Sequence, residues 1–256
     1  MLLHSKIIGK GYPLLILHGL LGMGDNWISL ARRYGQEGFE VHLIDLRNHG
    51  KSFHSDEMTY EAMSDDLLYY IQHYNLKDIN LMGHSMGGKA AMNFVLTFQD
   101  LTKRLVVVDI APKYYPPHHH FIFKAIEQLD LNQIENRKEA ESILLQTIDS
   151  KPIVQFILKN LTRRQDKGFA WKPNVEVLKQ SLDDLGASLP PLSVASIPAL
   201  FVKGARSPYI IKDDYPIIKA HFPNSEIVSI PNSGHWVHSQ SPDVFFNKTL
   251  SFLTKA

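Results

Sequence analysis

The chain has 256 residues, 44% hydrophobic and 21% charged, which suits a globular fold of one large or two small domains. Its 27 Lys and Arg against 26 Asp and Glu leave no charge excess to attract nucleic acid or an anionic membrane. It has no Cys, which excludes disulfides, thiolate metal sites and a Cys nucleophile, and no apolar run has membrane-span or signal-peptide length, so the cytoplasm is the default compartment.

Residues 2–8 alternate weakly and read as an edge strand. Residues 13–17 form a buried Leu/Ile strand that runs into His18-Gly19-Leu20-Leu21-Gly22. A helix over 27–34 ends at Gly35, and the strand 41–46 leads into Asp45-Leu46-Arg47-Asn48-His49-Gly50, whose polar side chains are expected to brace the loop. Thr59 caps a helix reaching Tyr74, with Met63, Leu67, Tyr70, Ile71 and Tyr74 on one face.

Residues 79–84 form a further strand, and it ends in Gly83-His84-Ser85-Met86-Gly87 with the amphipathic helix 86–98 following at once. Strand, sharp turn and helix around a G-x-S-x-G pentapeptide make a nucleophile elbow. The turn thrusts the serine out of the surface, and the helix N-terminus supplies a positive local field. Ser85 is therefore the candidate nucleophile, against the blander alternative of a spectator in a Gly-rich turn. The strand 103–110 follows, with Val106, Val107 and Val108 in a run typical of strands covered on both faces.

The alternation then lapses. Between 112 and 196 the sequence predicts helices near 119–130, 137–149, 152–161 and 174–185 and no strand of comparable quality. His118-His119-His120 reads as a solvated run, since consecutive side chains do not converge on one ion. The strand 198–203, a helix over 213–221, the strand 226–230 and a last helix opening at Pro242 complete the chain. The expected architecture is α/β: a mostly parallel twisted sheet with helices on both faces. Residues 1–111 and 197–256 make the core, and 112–196 an inserted helical lid. In such sheets the site lies at the carboxyl ends of the strands, where Ser85, the His18-Gly19 loop, Asp109 and the 204–214 loop all fall.

A serine hydroxyl needs a base. His235, in the loop Gly234-His235-Trp236 after the penultimate element, is the candidate, ahead of His238. The acid is expected to be Asp109, ending a buried Val strand where a lone carboxylate is costly, ahead of Asp213 or Asp214, which have an adequate role complementing the first turn of a helix. Ser207 is expected to support the base or the acid. Oxyanion donors are the N–H groups of Met86 and of Leu20 or Leu21. His18 reads as a packing residue under the loop. Leu21, Tyr114, Phe121, Trp171 and Trp236 are the candidate substrate-binding side chains.

The set His18-Gly19, Arg47-Asn48-His49-Gly50, Gly83-His84-Ser85-Met86-Gly87-Gly88-Lys89-Ala90, Asp109-Ile110-Ala111-Pro112, Gly204-x-x-Ser207-Pro208-Tyr209 and Gly234-His235-Trp236-Val237-His238 resembles the α/β-hydrolase superfamily over nearly the whole chain. More closely it resembles the YbfF-type acyl-CoA esterases, relatives of abhydrolase domain-containing protein 11. The resemblance implies hydrolysis of small-molecule esters and acyl thioesters with no metal or organic cofactor, and the sequence leaves both a monomer and a homodimer open. It also implies that the acid comes from the strand after the elbow unit, which matches Asp109. Two other readings remain: C–C bond hydrolysis or lyase chemistry on the same fold, and ligand binding with vestigial catalysis.

Overall fold

A computed structural model describes residues 1–117, 119–165 and 168–255. The first strand, β1 (Ser5–Gly9), is followed by β2 (Tyr12–Leu17), a 3₁₀ turn over Gly24–Trp27 and helix α1 (Ile28–Gln36). Next come β3 (Phe39–Ile44), α2 (Tyr60–His73), β4 (Ile79–His84), α3 (Met86–Phe98) and β5 (Thr102–Val108). The expected helix at 27–34 thus begins one residue later, after a turn. Thr59 caps α2 by accepting the Ala62 N–H, as its position implies.

Between β5 and the next sheet strand lie α4 (His120–Glu127), α5 (Arg137–Leu144), α6 (Lys151–Leu158), β6 (Leu161–Arg163), β7 (Phe169–Trp171), α7 (Val175–Gln180) and α8 (Leu182–Gly186). This stretch was expected to be helical throughout. The antiparallel β6–β7 hairpin corrects that expectation, and each strand has only three residues, too few for a period-2 pattern to register. The chain closes with β8 (Ala199–Gly204), α9 (Tyr215–His221), β9 (Ser225–Ile230), α10 (Val237–Gln240) and α11 (Pro242–Leu253).

Seven strands form one sheet in the order β1-β3-β2-β4-β5-β8-β9. Only β1 runs antiparallel, at the edge beside β3. The other pairings are parallel, so β2, β4, β5, β8 and β9 all end at one rim.

Alternation along each strand divides the core in two. Leu15, Leu17, Leu81, Leu105 and Val107 pack with α2, α3 and the helices between β5 and β8. Leu14, Ile16, Met82, Val106 and Val108 pack with α1 and α11 on the opposite face. With both faces covered, the strands are buried along most of their length, which is why they read as continuous apolar runs. Among the described residues, no helix is long and apolar enough to cross a membrane.

Candidate active site

The turn between β4 and α3 is built by contact at close range. A Cβ on Gly83 would lie 2.1 Å from the Gly87 carbonyl oxygen, and one on Gly87 would lie 2.4 Å from the His18 carbonyl oxygen. Only glycine permits α3 to leave β4 this sharply. Ser85, at the tip, is held at φ 52°, ψ −119°, a sparsely populated region for a residue with a side chain. Leu21, after β2, and Asp109, after β5, share its positive φ at the same rim, at 57° and 52°. The backbone is strained where three strands deliver their side chains to one place.

Asp109 is fully buried just beyond β5. Its Oδ1 accepts the Gly204 N–H at 2.9 Å, and its Oδ2 accepts the Ser207 hydroxyl and His235 Nδ1–H, the latter at 2.8 Å. Burying an unpaired carboxylate is costly, and three donors from the ends of β8 and β9 meet that need. This contact fixes the tautomer of His235, leaving Nε2 as its basic nitrogen. Tyr209 stacks on the imidazole face, with ring centroids 3.8 Å apart and planes 17° from parallel. His84 Nε2–H donates to the His235 carbonyl oxygen at 2.9 Å. His235 is thus held by its ring, by its stacking face and by its backbone.

Ser85 and His235 line the same cavity of about 290 Å³. The helices between β5 and β8 cover it, contributing Phe121, Ile122, Ile153, Phe156 and Ile157. Asn160 ties that cover to the rim by donating to the Leu21 carbonyl oxygen at 2.7 Å.

The oxyanion loop rests on two buried imidazoles. His18 Nε2 accepts the Leu46 N–H at 3.0 Å and its Nδ1–H donates to the Gly19 carbonyl oxygen at 2.8 Å. His49 Nε2 accepts the Leu21 N–H at 3.2 Å and its Nδ1–H donates to the Arg47 carbonyl oxygen at 2.9 Å. Burial lowers the pKa of His18 to about 4 and, with help from the neighbouring His18, that of His49 to about 3. Both are therefore neutral acceptors for backbone donors, and His18 has the packing role expected of it. His49 thus occupies the Leu21 N–H, one of the two candidate oxyanion donors on this loop. Arg47 ties the loop that carries His49 to α2 with two bonds to Asp66, at 2.7 and 3.0 Å.

Comparison with known proteins gives the family. The model of the alpha/beta hydrolase fold family matches residues 12–181. The chain belongs to the α/β-hydrolase family. It is 37% identical over 253 residues to the zebrafish (Danio rerio) sn-1-specific diacylglycerol lipase ABHD11, covering 96% of this chain and 79% of that one. It is 32% identical over 242 residues to the Escherichia coli esterase YbfF, covering 94% and 92%. A solved marine microorganism esterase superposes with a TM-score of 0.96 at 42% identity, covering 98% of this chain and 99% of that one. The protein is a hydrolase of the esterase/lipase type.

Within this α/β-hydrolase, the rim brings together Ser85, Asp109, His235, Ser207, Leu20 and Met86. Of the candidate substrate-binding residues, Leu21, Phe121 and Trp236 line the cavity with Ser85. Tyr114 and Trp171 do not. Tyr114 is largely exposed on the loop after β5, and Trp171 ends β7 opposite Leu161. Asp213 is exposed, while Asp214 accepts Lys113 Nζ and the Ile211 N–H, both at 2.8 Å, at the start of α9. Neither reaches His235. His238 stands behind the base, stacked on Trp27 at 4.0 Å, and burial lowers its pKa to about 3. Of the histidine run, His119 lines the cavity, His120 opens α4 and His118 lies outside the described residues.

Sequence reasoning gave no role to His84, Tyr209 or Lys89. His84 and Tyr209 carried a positional signal, flanking Ser85 and Ser207. Lys89 lies one helical turn beyond Ser85 and is buried, with its Nζ donating to the Gly186 carbonyl oxygen at 2.9 Å and to that of Ala187. Burial lowers its pKa to about 7.

Proposed function

We propose that the protein is a serine hydrolase that cleaves carboxylic esters and acyl thioesters, acyl-CoA among them, through an acyl-enzyme. The observation that carries this reading is the convergence of Asp109 and His235 on the rim where Ser85 stands half-buried at the tip of the elbow, lining the same cavity as His235. Ser85 Oγ attacks the carbonyl carbon while His235 Nε2 takes its proton. Asp109 holds the imidazole in the competent tautomer and stabilises the imidazolium. The N–H groups of Leu20 and Met86 stabilise the oxyanion, each contributing about 3 kcal/mol. His235 returns the proton to the departing alkoxide or thiolate, and water repeats the cycle on the acyl-enzyme. The apolar cavity beneath residues 112–196 fits the acyl ester class that the names of ABHD11 and YbfF describe, and those residues act as a lid.

The test is turnover of p-nitrophenyl acetate. Ser85→Ala should lower kcat by at least about 10³, and activity surviving that change would refute the proposal.

A further inference from the structure

Resting on the hydrolase reading, we infer that the enzyme takes a short acyl group in a small fixed pocket and the longer alcohol or thiol arm of the substrate in the large cavity. Two cavities meet at Ser85. The larger, about 290 Å³, is lined by His235 and Trp236 and not by Met86. The smaller, about 50 Å³, is lined by Met86, Tyr60, Lys89, Tyr115 and Leu185 and not by His235.

That division assigns the two arms of the substrate. In the tetrahedral intermediate the oxyanion faces the Leu20 and Met86 N–H groups. When the bond from the carbonyl carbon to the leaving oxygen or sulfur breaks, the leaving atom takes its proton from His235. The leaving arm must therefore lie on the His235 side, in the large cavity. The acyl arm points the other way, past Met86 into the small pocket. At about 10–15 Å³ of water-accessible space per heavy atom, a methyl or ethyl group fits the small pocket with room to spare, while the five-carbon chain of a hexanoyl group, about 50–75 Å³, fills or exceeds it. A hexyl chain, about 60–90 Å³ on the same measure, fits the large one easily.

The small pocket is also held at its size. Its far wall, residues 185–187, is tied to the sheet side by four bonds. Lys89 Nζ donates to the carbonyl oxygens of Gly186 and Ala187, the Tyr60 hydroxyl donates to that of Leu185 at 2.7 Å, and the Tyr115 N–H donates to that of Gly186 at 2.8 Å. The Lys89 ammonium further lies 5.0 Å from the Tyr115 ring centroid. A wall pinned from three elements does not yield to a longer acyl chain.

Two isomeric esters test this with composition held constant. Hexyl acetate and ethyl hexanoate contain the same atoms with the long arm reversed. The assignment predicts kcat/KM for hexyl acetate at least about tenfold above that for ethyl hexanoate. Leu185→Ala should raise the ethyl hexanoate value about tenfold relative to hexyl acetate by enlarging the small pocket. Phe156→Ala, in the half-buried wall of the large cavity, should lower hexyl acetate cleavage and leave ethyl acetate cleavage less affected. Equal or reversed preference between the isomers overturns the assignment and leaves the hydrolase reading standing. Failure to cleave either isomer overturns the assignment, and failure on p-nitrophenyl acetate as well overturns both.

Discussion

Replacing Asp109 by Asn removes one charge and almost no volume. Its amide oxygen still accepts the Gly204 N–H that Oδ1 accepts at 2.9 Å. The amide nitrogen then stands where Oδ2 accepts the Ser207 hydroxyl and His235 Nδ1–H. An amide N–H facing Nδ1 forces the imidazole proton onto Nε2, the nitrogen that must accept the Ser85 proton. It also removes the negative charge that stabilises the imidazolium. The equivalent change in a Ser-His-Asp enzyme costs about 10⁴ in kcat, equivalent to about 5.5 kcal/mol of barrier. The assay is kcat on p-nitrophenyl acetate, with a thermal melt to show that the fold survives. Asp214→Asn is the control, since it removes an acceptor of Lys113 and of the Ile211 N–H at α9 and touches neither Ser85 nor His235. Near-normal turnover in Asp109→Asn, or an equal loss in Asp214→Asn, would refute the assignment of the acid.

Ser207→Ala removes one of the three donors to Asp109 and should lower kcat about tenfold, in line with the loss of one hydrogen bond to a charged group; unchanged kcat would contradict its supporting role. His49→Phe takes away the acceptor that fixes the Leu21 N–H, so the Leu20 donor loosens and kcat should fall about 10- to 100-fold with KM little changed. Acid stability follows from the buried imidazoles. His18, His49, His84 and His238 all have folded pKa values pushed below the ordinary 6.5 by burial. Below pH about 6.5 the unfolded chain binds protons that the folded chain refuses, so stability is full above that pH and is lost on acidification. Four such groups give a slope on the order of 5 kcal/mol per pH unit, enough to unfold an ordinary domain between about pH 5 and pH 4. Urea unfolding at a series of pH values checks this, and a stability curve flat from pH 7 to pH 4 would contradict it.

The parts of the site that local chemistry dictates were legible in the chain. The Ser85 turn needs Gly83 and Gly87 within four residues of it, so the pentapeptide reports itself. Asp109 was legible by strand order, because a carboxylate closing a buried Val run has to find donors. Nothing in the sequence signals that His49 reaches back 28 residues to take the Leu21 N–H. Tyr114, Phe121 and Trp171 were equally apolar candidates between 112 and 196. Which of them lines the cavity depends on how that segment settles on the rim, and composition carries no record of it. The β6–β7 hairpin escaped for a similar reason, since its strands exist by pairing with each other more than by their own pattern.

The central claim is that Ser85 is made nucleophilic by His235. Reaction with a fluorophosphonate, followed by intact-protein mass and peptide mapping, tests it directly. One adduct on Ser85 is predicted, with labelling slowed at least about 10³-fold in His235→Gln. An unlabelled wild-type protein, an adduct on another residue, or labelling that His235→Gln leaves unchanged would contradict it.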